Sequence, residues 1–246
     1  MDPMPFTFLG LLVGFLVGLT GVGGGALMTP SLIFLGVEPI IAVGTDLLYA
    51  GVTKVFGVLF HHQKGNIRYD IAGRLFIGSI PAIVLGGVIL RFVDRETLNN
   101  NLTLLLGSIL VLSSLLSLFK GELKVPIKPR WAYVYLLGFV VGLAVQFTSV
   151  GAGVLVSFAL MNVARVNPRE VVGVTIVYGL ALSSLSFLNY ASIGSVDYNL
   201  ALFLILGSIP GVYLGAHINS RIDKEKLKRF INVVILIIGS LILVGK

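Results

Sequence analysis

The chain is a succession of apolar runs, at roughly 6–35, 39–60, 69–90, 98–119, 131–163, 170–192, 197–218 and 227–245. A helix of about 20 apolar residues spans the ~30 Å hydrocarbon core of a bilayer. Runs of this length over nearly the whole sequence predict an all-α, polytopic membrane protein. The first and fifth runs are too long for one crossing. As a single helix, residues 6–35 would extend roughly 45 Å. The middle of the first run reads Gly18-Leu19-Thr20-Gly21-Val22-Gly23-Gly24-Gly25-Ala26-Leu27-Met28-Thr29-Pro30. Each glycine inside a helix costs ~1 kcal/mol relative to alanine, so this cluster predicts two half-helices meeting at a glycine tip. Pro30 fits a local break as well. Bare backbone N–H groups at the start of the second half-helix are a place where an anion can bind inside a membrane.

Charge sorts the remaining classes. Only 12% of residues are charged, against about 25% in soluble domains. The net charge of +7 would suit nucleic acid, but the basic residues lie in short loops between apolar runs. That is a membrane-topology pattern, and nucleic acid is not an expected partner. With no cysteine in the chain, disulfides, thiolate chemistry and Cys-based metal sites are excluded, and no cofactor or metal is expected. Residues Met1 to Pro5 lack the basic segment and cleavage site of a signal peptide, so the first run is expected to be retained. The longest loop, about Lys120 to Arg130, has no room for a soluble domain.

The two halves repeat. Gly14-Phe15-Leu16-Val17-Gly18-Leu19 matches Gly138-Phe139-Val140-Val141-Gly142-Leu143 at an offset of 124. Val22-Gly23-Gly24-Gly25 matches Val150-Gly151-Ala152-Gly153 at 128. From there the offset settles at 129, pairing Tyr49 with Tyr178, Tyr69 with Tyr198, and Gly78-Ser79-Ile80-Pro81 with Gly207-Ser208-Ile209-Pro210. The predicted division is a first repeat over 1–120, a linker over 121–130 and a second repeat over 131–246.

Basic residues choose between two topologies. If every run crosses once, the loop Lys and Arg residues divide seven against nine. If runs one and five go in and return to the side they entered, they divide thirteen against three. The positive-inside rule favours the second arrangement. It consists of two inverted repeats, each a broken helical hairpin plus three spans, with the linker in the cytoplasm and both termini outside. Inverted repeats with interrupted helices are a recurring plan of secondary transporters, with the substrate near the midplane.

The candidate substrate-binding groups follow from that plan. Tip one offers the Thr20 hydroxyl and the backbone of Gly21, Gly23, Gly24 and Gly25. Tip two offers Gln146, Thr148 and Ser149, with the free backbone of Gly151 and Gly153. Donors without fixed charge suit an anion that must be released again. The competing reading is helix packing through small residues, which fits Gly14, Gly18, Gly138 and Gly142. Asp46 and Lys54 are ionisable groups deep in an apolar run, where charge usually faces a cavity or a partner. Lys54 can attract the anion or snorkel. Asp46 is the proton-coupling candidate, or else a helix cap after Gly44-Thr45. Their repeat partners are Thr175 and Ser183, so the charges belong to one half only. His61, His62 and Arg74 read as interfacial, Trp131, Tyr133 and Tyr135 as an aromatic belt, and Asn162 and Asn189 as inter-helix hydrogen-bonding residues.

The ordered motifs at 14–25, Pro30, Gly36-Val37 and Ala42-Val43-Gly44-Thr45, with the two Gly-Ser-Ile-Pro stretches, resemble the TauE/SafE sulfite-exporter-like family over essentially the whole chain. The second tip, Ser149-Val150-Gly151-Ala152-Gly153, departs from the triple-glycine pattern. The resemblance implies a multi-pass permease in the bacterial or archaeal inner membrane. It also implies sulfur-containing anions such as sulfite, thiosulfate or organosulfonates as substrates, with protons as candidate coupling ions. The chain is therefore read as an anion transporter, not an enzyme, with the lipid bilayer and a small anion as partners. A homo-oligomer is compatible with the plan. The alternatives carried forward are an anion channel and a non-transport membrane scaffold or assembly factor.

Overall fold

The computed structural model describes residues 3–20, 25–63, 67–118, 131–162, 166–218 and 224–245. Among the described residues there are ten helices and no strand. In the first half these are α1 (Pro3–Thr20), α2 (Gly25–Phe34), α3 (Pro39–Gln63), α4 (Tyr69–Phe92) and α5 (Arg95–Leu118). In the second they are α6 (Trp131–Thr148), α7 (Ala152–Asn162), α8 (Pro168–Ser192), α9 (Tyr198–Ile218) and α10 (Lys224–Val244). Six described helices, α3 to α6, α8 and α9, are long and apolar enough to cross a membrane. Both long apolar runs are interrupted, α1 from α2 and α6 from α7, where the glycines predict it. Pro30 does not break the chain further, because α2 runs through it. It lies in the second turn, so only the hydrogen bond to the Ala26 carbonyl is forfeited.

Helix directions follow from the contacts. Along α1 and α9 the numbers rise together: Gly10 faces Leu204, Gly14 faces Ser208, and Gly207, Gly211 and Gly215 face Thr7, Leu11 and Phe15. The two helices are parallel. A Cβ at most of these glycines would collide with the opposing backbone, so the close approach requires them. Helices α6 and α4 repeat the arrangement, with Gly138 on Leu75, Gly142 on Ser79 and Gly78 on Tyr135. The sequence reading of Gly14, Gly138 and Gly142 as packing residues matches these contacts.

Helix α3 runs with α9, since Thr45 Oγ1 accepts the Asp197 N–H and Tyr49 lies near Ser208 further along. Helix α4 runs with α8, through Ser79 to Tyr178 and Arg91 to Ser192. After a tight turn at 35–38, Thr29 and Gly25 of α2 lie beside Asp46 of α3. So α2 runs back along α3, and therefore back against α1. In the same way α7 runs back along α8, with Ala152 beside Gly179. Each interrupted run is thus a hairpin.

Equivalent helices of the two halves meet antiparallel. Across α3 and α8, Gly44 faces Tyr190, Lys54 meets Ser183, and Gly57 faces Ile176. Across α5 and α10, Gly107 faces Leu243 and Asn232 Nδ2 donates to Ser117 Oγ at 2.8 Å. Beneath the hairpins, α5 and α10 contribute Leu106, Leu110, Ile231 and Ile235 to one apolar cluster with Ala26 and Val150. The two hairpin tips therefore rest on a shared floor.

Candidate functional site

The tips meet beside α3. Gly25, the first residue of α2, lies so close to the Ser149 carbonyl that a Cβ there would overlap it, and it also faces the Asp46 carboxylate. Asp46 lies well inside α3, fully buried, and caps no helix. Thr29 Oγ1 donates to its Oδ2 at 2.5 Å. Its Oδ1 has no hydrogen-bond partner among the described residues. The Ser149 hydroxyl adjoins the carboxylate but closes no well-formed hydrogen bond onto it.

Tip two is held by its own side chains. Thr148 Oγ1 donates to the Ala144 carbonyl at 2.6 Å and accepts the Val150 N–H at 3.2 Å. This stops α6 and turns the chain, much as a local side-chain cap does. Ser149 follows with φ +60°, a left-handed conformation uncommon outside glycine. Gly151, at φ +116°, then opens α7 by accepting the Leu155 N–H. Gly153 faces open space. Gln146 turns towards α4 and α8, lying over Gly86 with its Oε1 accepting from Asn189 Nδ2 at 3.3 Å. Its Nε2 is buried without a partner. In tip one, Gly21, Gly23 and Gly24 lie outside the described residues, as does the side chain of Thr20.

Lys54 lies two turns along α3 from Asp46 and is half-buried. Its stem runs over Gly179, where a side chain would crowd it. Its Nζ donates to Ser183 Oγ at 3.2 Å. It does not pair with Asp46: no Lys, Arg or His among the described residues forms an ion pair with that carboxylate.

Sequence reasoning missed several residues here. Thr29, Ser186 and Tyr190 are not among the candidate residues that the sequence singles out. Both Ser186 Oγ and Tyr190 Oη are buried without partners, and Tyr190 lies against Gly44, two residues before Asp46. The only signal for them was a hydroxyl at a position that otherwise reads as apolar. Of the peripheral residues, Asn189 also donates to the Ile83 carbonyl. His62 meets Tyr69 at an exposed helix end, and Arg74 stacks on the Trp131 ring at 3.6 Å. The side chains of His61 and Asn162 lie outside the described residues.

Six apolar helices of membrane length, two apolar hairpins and a buried polar centre where their tips meet define a multi-pass membrane protein of transporter type. The family model described as sulfite exporter TauE/SafE matches residues 6–242. The probable membrane transporter protein YjnA of Bacillus subtilis (strain 168) is 40% identical over 244 residues, 94% of this chain and 96% of its own. YdhB of the same organism, also named a probable membrane transporter protein, is 27% identical over 238 residues, with 94% and 96% covered. The probable membrane transporter protein MJ0441 of Methanocaldococcus jannaschii is 22% identical over 256 residues, with 96% and 93% covered. No solved structure matches the chain. The chain belongs to the TauE/SafE family and is a membrane transporter.

Proposed function

We propose that this protein is a secondary transporter, working as an exporter, of small sulfur-containing anions such as sulfite, thiosulfate or organosulfonates across a bacterial or archaeal inner membrane. The observation that carries this reading is the meeting of the two tips at Gly25 and Ser149, where a buried hydroxyl is unused. The Ser149 hydroxyl at that contact is buried without a partner, as are Gln146 Nε2, beside Gly86, and the hydroxyls of Ser186 and Tyr190 on α8. Buried donors ordinarily have partners, and an oxyanion is an acceptor that could serve them. The substrate class also draws support from the family, whose description names sulfite export.

In this reading the anion is held between the tips by Thr20, by the backbone of Gly21, Gly23, Gly24 and Gly25, and by Gln146, Ser149, Gly151 and Gly153. Thr148 fixes the bend that presents them, and Lys54 supplies attraction. Asp46 is the buried acid through which transport is coupled to an ion, with a proton as the candidate the family resemblance suggests. The two halves are inverted repeats, a reading supported by the antiparallel packing of α3 on α8 and of α5 on α10. The basic loops then lie in the cytoplasm and both termini outside. Alternating access comes from one half rocking against the other about the interrupted helices.

Thermal-shift screening of purified protein against sulfite, thiosulfate, sulfate and small sulfonates tests the substrate class. Stabilisation by at least one of the sulfur anions is expected. Stabilisation by a cation or neutral solute, and by none of these anions, would reject it. Counterflow in proteoliposomes tests the transport mode: trans substrate should accelerate flux, whereas a channel shows no such exchange.

A further inference from the structure

We infer that Asp46, Thr29 and Ser149 form a binding site for one sodium ion at the contact between the two tips, resting on the transport reading above and naming its coupling ion. The starting point is a carboxylate without an ion-pair partner. Asp46 is fully buried, no basic side chain among the described residues pairs with it, and only one of its oxygens is hydrogen-bonded. A carboxylate in a membrane interior is not left in that condition: it takes a proton or a cation.

The surrounding atoms favour an ion that can be shared. Asp46 supplies two oxygens and Thr29 a third, with Thr29 Oγ1 only 2.5 Å from Oδ2. Ser149 brings two more from the other half of the chain. Its hydroxyl is buried and unpartnered, and its carbonyl lies at the Gly25 contact. The left-handed φ of +60° at Ser149 sets that carbonyl just after the end of α6. Oxygens alone, including a carbonyl freed by a helix interruption, are the donors a hard cation takes. A single carboxylate balances a single positive charge. A divalent ion ordinarily takes more than one carboxylate, and no group of three or more His, Asp or Glu among the described residues would hold one. The repeat-equivalent position carries no carboxylate. Thr175 replaces Asp46 there and turns its hydroxyl to the Val172 carbonyl at 2.9 Å.

A proton on Asp46 would compete with the sodium ion for the same oxygens. The other charged or titratable groups nearby are Lys54 and Tyr49 on α3 itself and Tyr190 on α8. Helix α2 and the second tip contribute none. Because Asp46 and Ser149 belong to opposite halves, an ion between them ties one tip to the other. Its departure frees them to separate.

The test uses purified full-length protein in NaCl or choline chloride at equal ionic strength, with thermal unfolding and direct 22Na binding as readouts. Saturating sodium should raise the midpoint by about 4 °C or more, and 22Na should bind at one ion per chain. Asp46→Asn should abolish both effects. Ser149→Ala, which leaves the charge in place and guards against misfolding of the first variant, should raise the half-saturating sodium concentration about tenfold. Equal midpoints in the two salts without 22Na binding, or a sodium effect undiminished in Asp46→Asn, would overturn the site. Loss of the sodium effect alongside intact anion counterflow in choline removes this site and leaves the transport reading. Sodium binding without counterflow of any anion does the reverse.

Discussion

Lys54 and Ser183 hold the same position in the two halves, 129 residues apart, and they touch: the ammonium donates to the hydroxyl at 3.2 Å. Contact between repeat-matched residues is what the proposed inverted arrangement requires where its two halves meet. Leu110 and Gly239, also 129 apart, face each other in the same way between α5 and α10. Both contacts lie in antiparallel helix pairs, α3 with α8 and α5 with α10.

Its place between the halves makes Lys54 the expected source of long-range attraction for an anion. Lys54→Gln should raise KM for the transported anion about tenfold, roughly 1.4 kcal/mol, with little change in kcat. Initial rates in proteoliposomes check it. An unchanged KM would place Lys54 outside the anion path. Ser183→Ala, which removes only the hydrogen bond, should change KM less than threefold, or roughly 0.6 kcal/mol on the same scale.

Glycines of two kinds should respond differently to a side chain. Gly25→Val would push α2 away from the Ser149 carbonyl. The protein should still insert and elute as a single species, with transport reduced roughly 100-fold, because a 1 Å misplacement at a site can cost that much. Gly207→Val would instead part α1 from α9 along its length, costing about 1–3 kcal/mol of overpacking. That variant should lower the unfolding midpoint and the yield before any effect on transport can be resolved. Size-exclusion profiles and thermal unfolding separate the two cases.

Glu38 ties the turn between α2 and α3 to the start of α5. Arg95 donates to both its oxygens at 2.7 Å, and Asn99 donates to it while also accepting the Ile40 N–H. The Arg95 guanidinium, with Asn99 adding to it, holds the Glu38 carboxyl below its ordinary 4.5, against a smaller opposing effect of burial. Because the folded value is the lower one, the latch stabilises the fold above pH 4.5 and is lost as the pH falls through that depressed value. At a solvent-facing position its worth is about 1 kcal/mol or less. Glu38→Gln should lower the unfolding midpoint at pH 7, and its gap from the parent protein should narrow as the pH is taken below 4.5, as read by thermal unfolding.

The absence of cysteine makes orientation simple to measure. Single cysteines at Met4, Glu96 and Lys226 should divide under a membrane-impermeant maleimide. The first two should label in intact cells and the third only after permeabilisation. Labelling of positions 4 and 226 from the same side would reject the inverted arrangement.

Much of the architecture was legible because it depends on local chemistry. The interruptions after Thr20 and Thr148 follow from glycines that a long apolar helix cannot absorb cheaply. The register of 129 survives because Gly78, Ser79, Gly207 and Ser208 perform the same packing task twice, each against a parallel neighbour. Pro30 misled, since a proline signals a break by its type although its cost depends on how far into the helix it falls. The site was less visible. Asp46 and Lys54 stood out as charges in apolar sequence, but nothing near them in the chain indicated that Thr29 would serve one and Ser183 the other. Ser186 and Tyr190 carried no signal beyond a hydroxyl.

The sequence by itself determined that this chain lives in a membrane, that it is built twice, and that each copy has one pierced helix. Those properties follow from hydrophobic length, glycine cost and repeated spacing, all of which are read along one dimension. Tertiary structure alone decided that Gly25 would meet Ser149, that Thr29 would serve Asp46, and that Lys54 would find its own counterpart. The physical reason is that a buried polar atom takes whatever partner the folded backbone delivers, from the other half of the chain as readily as from its own helix.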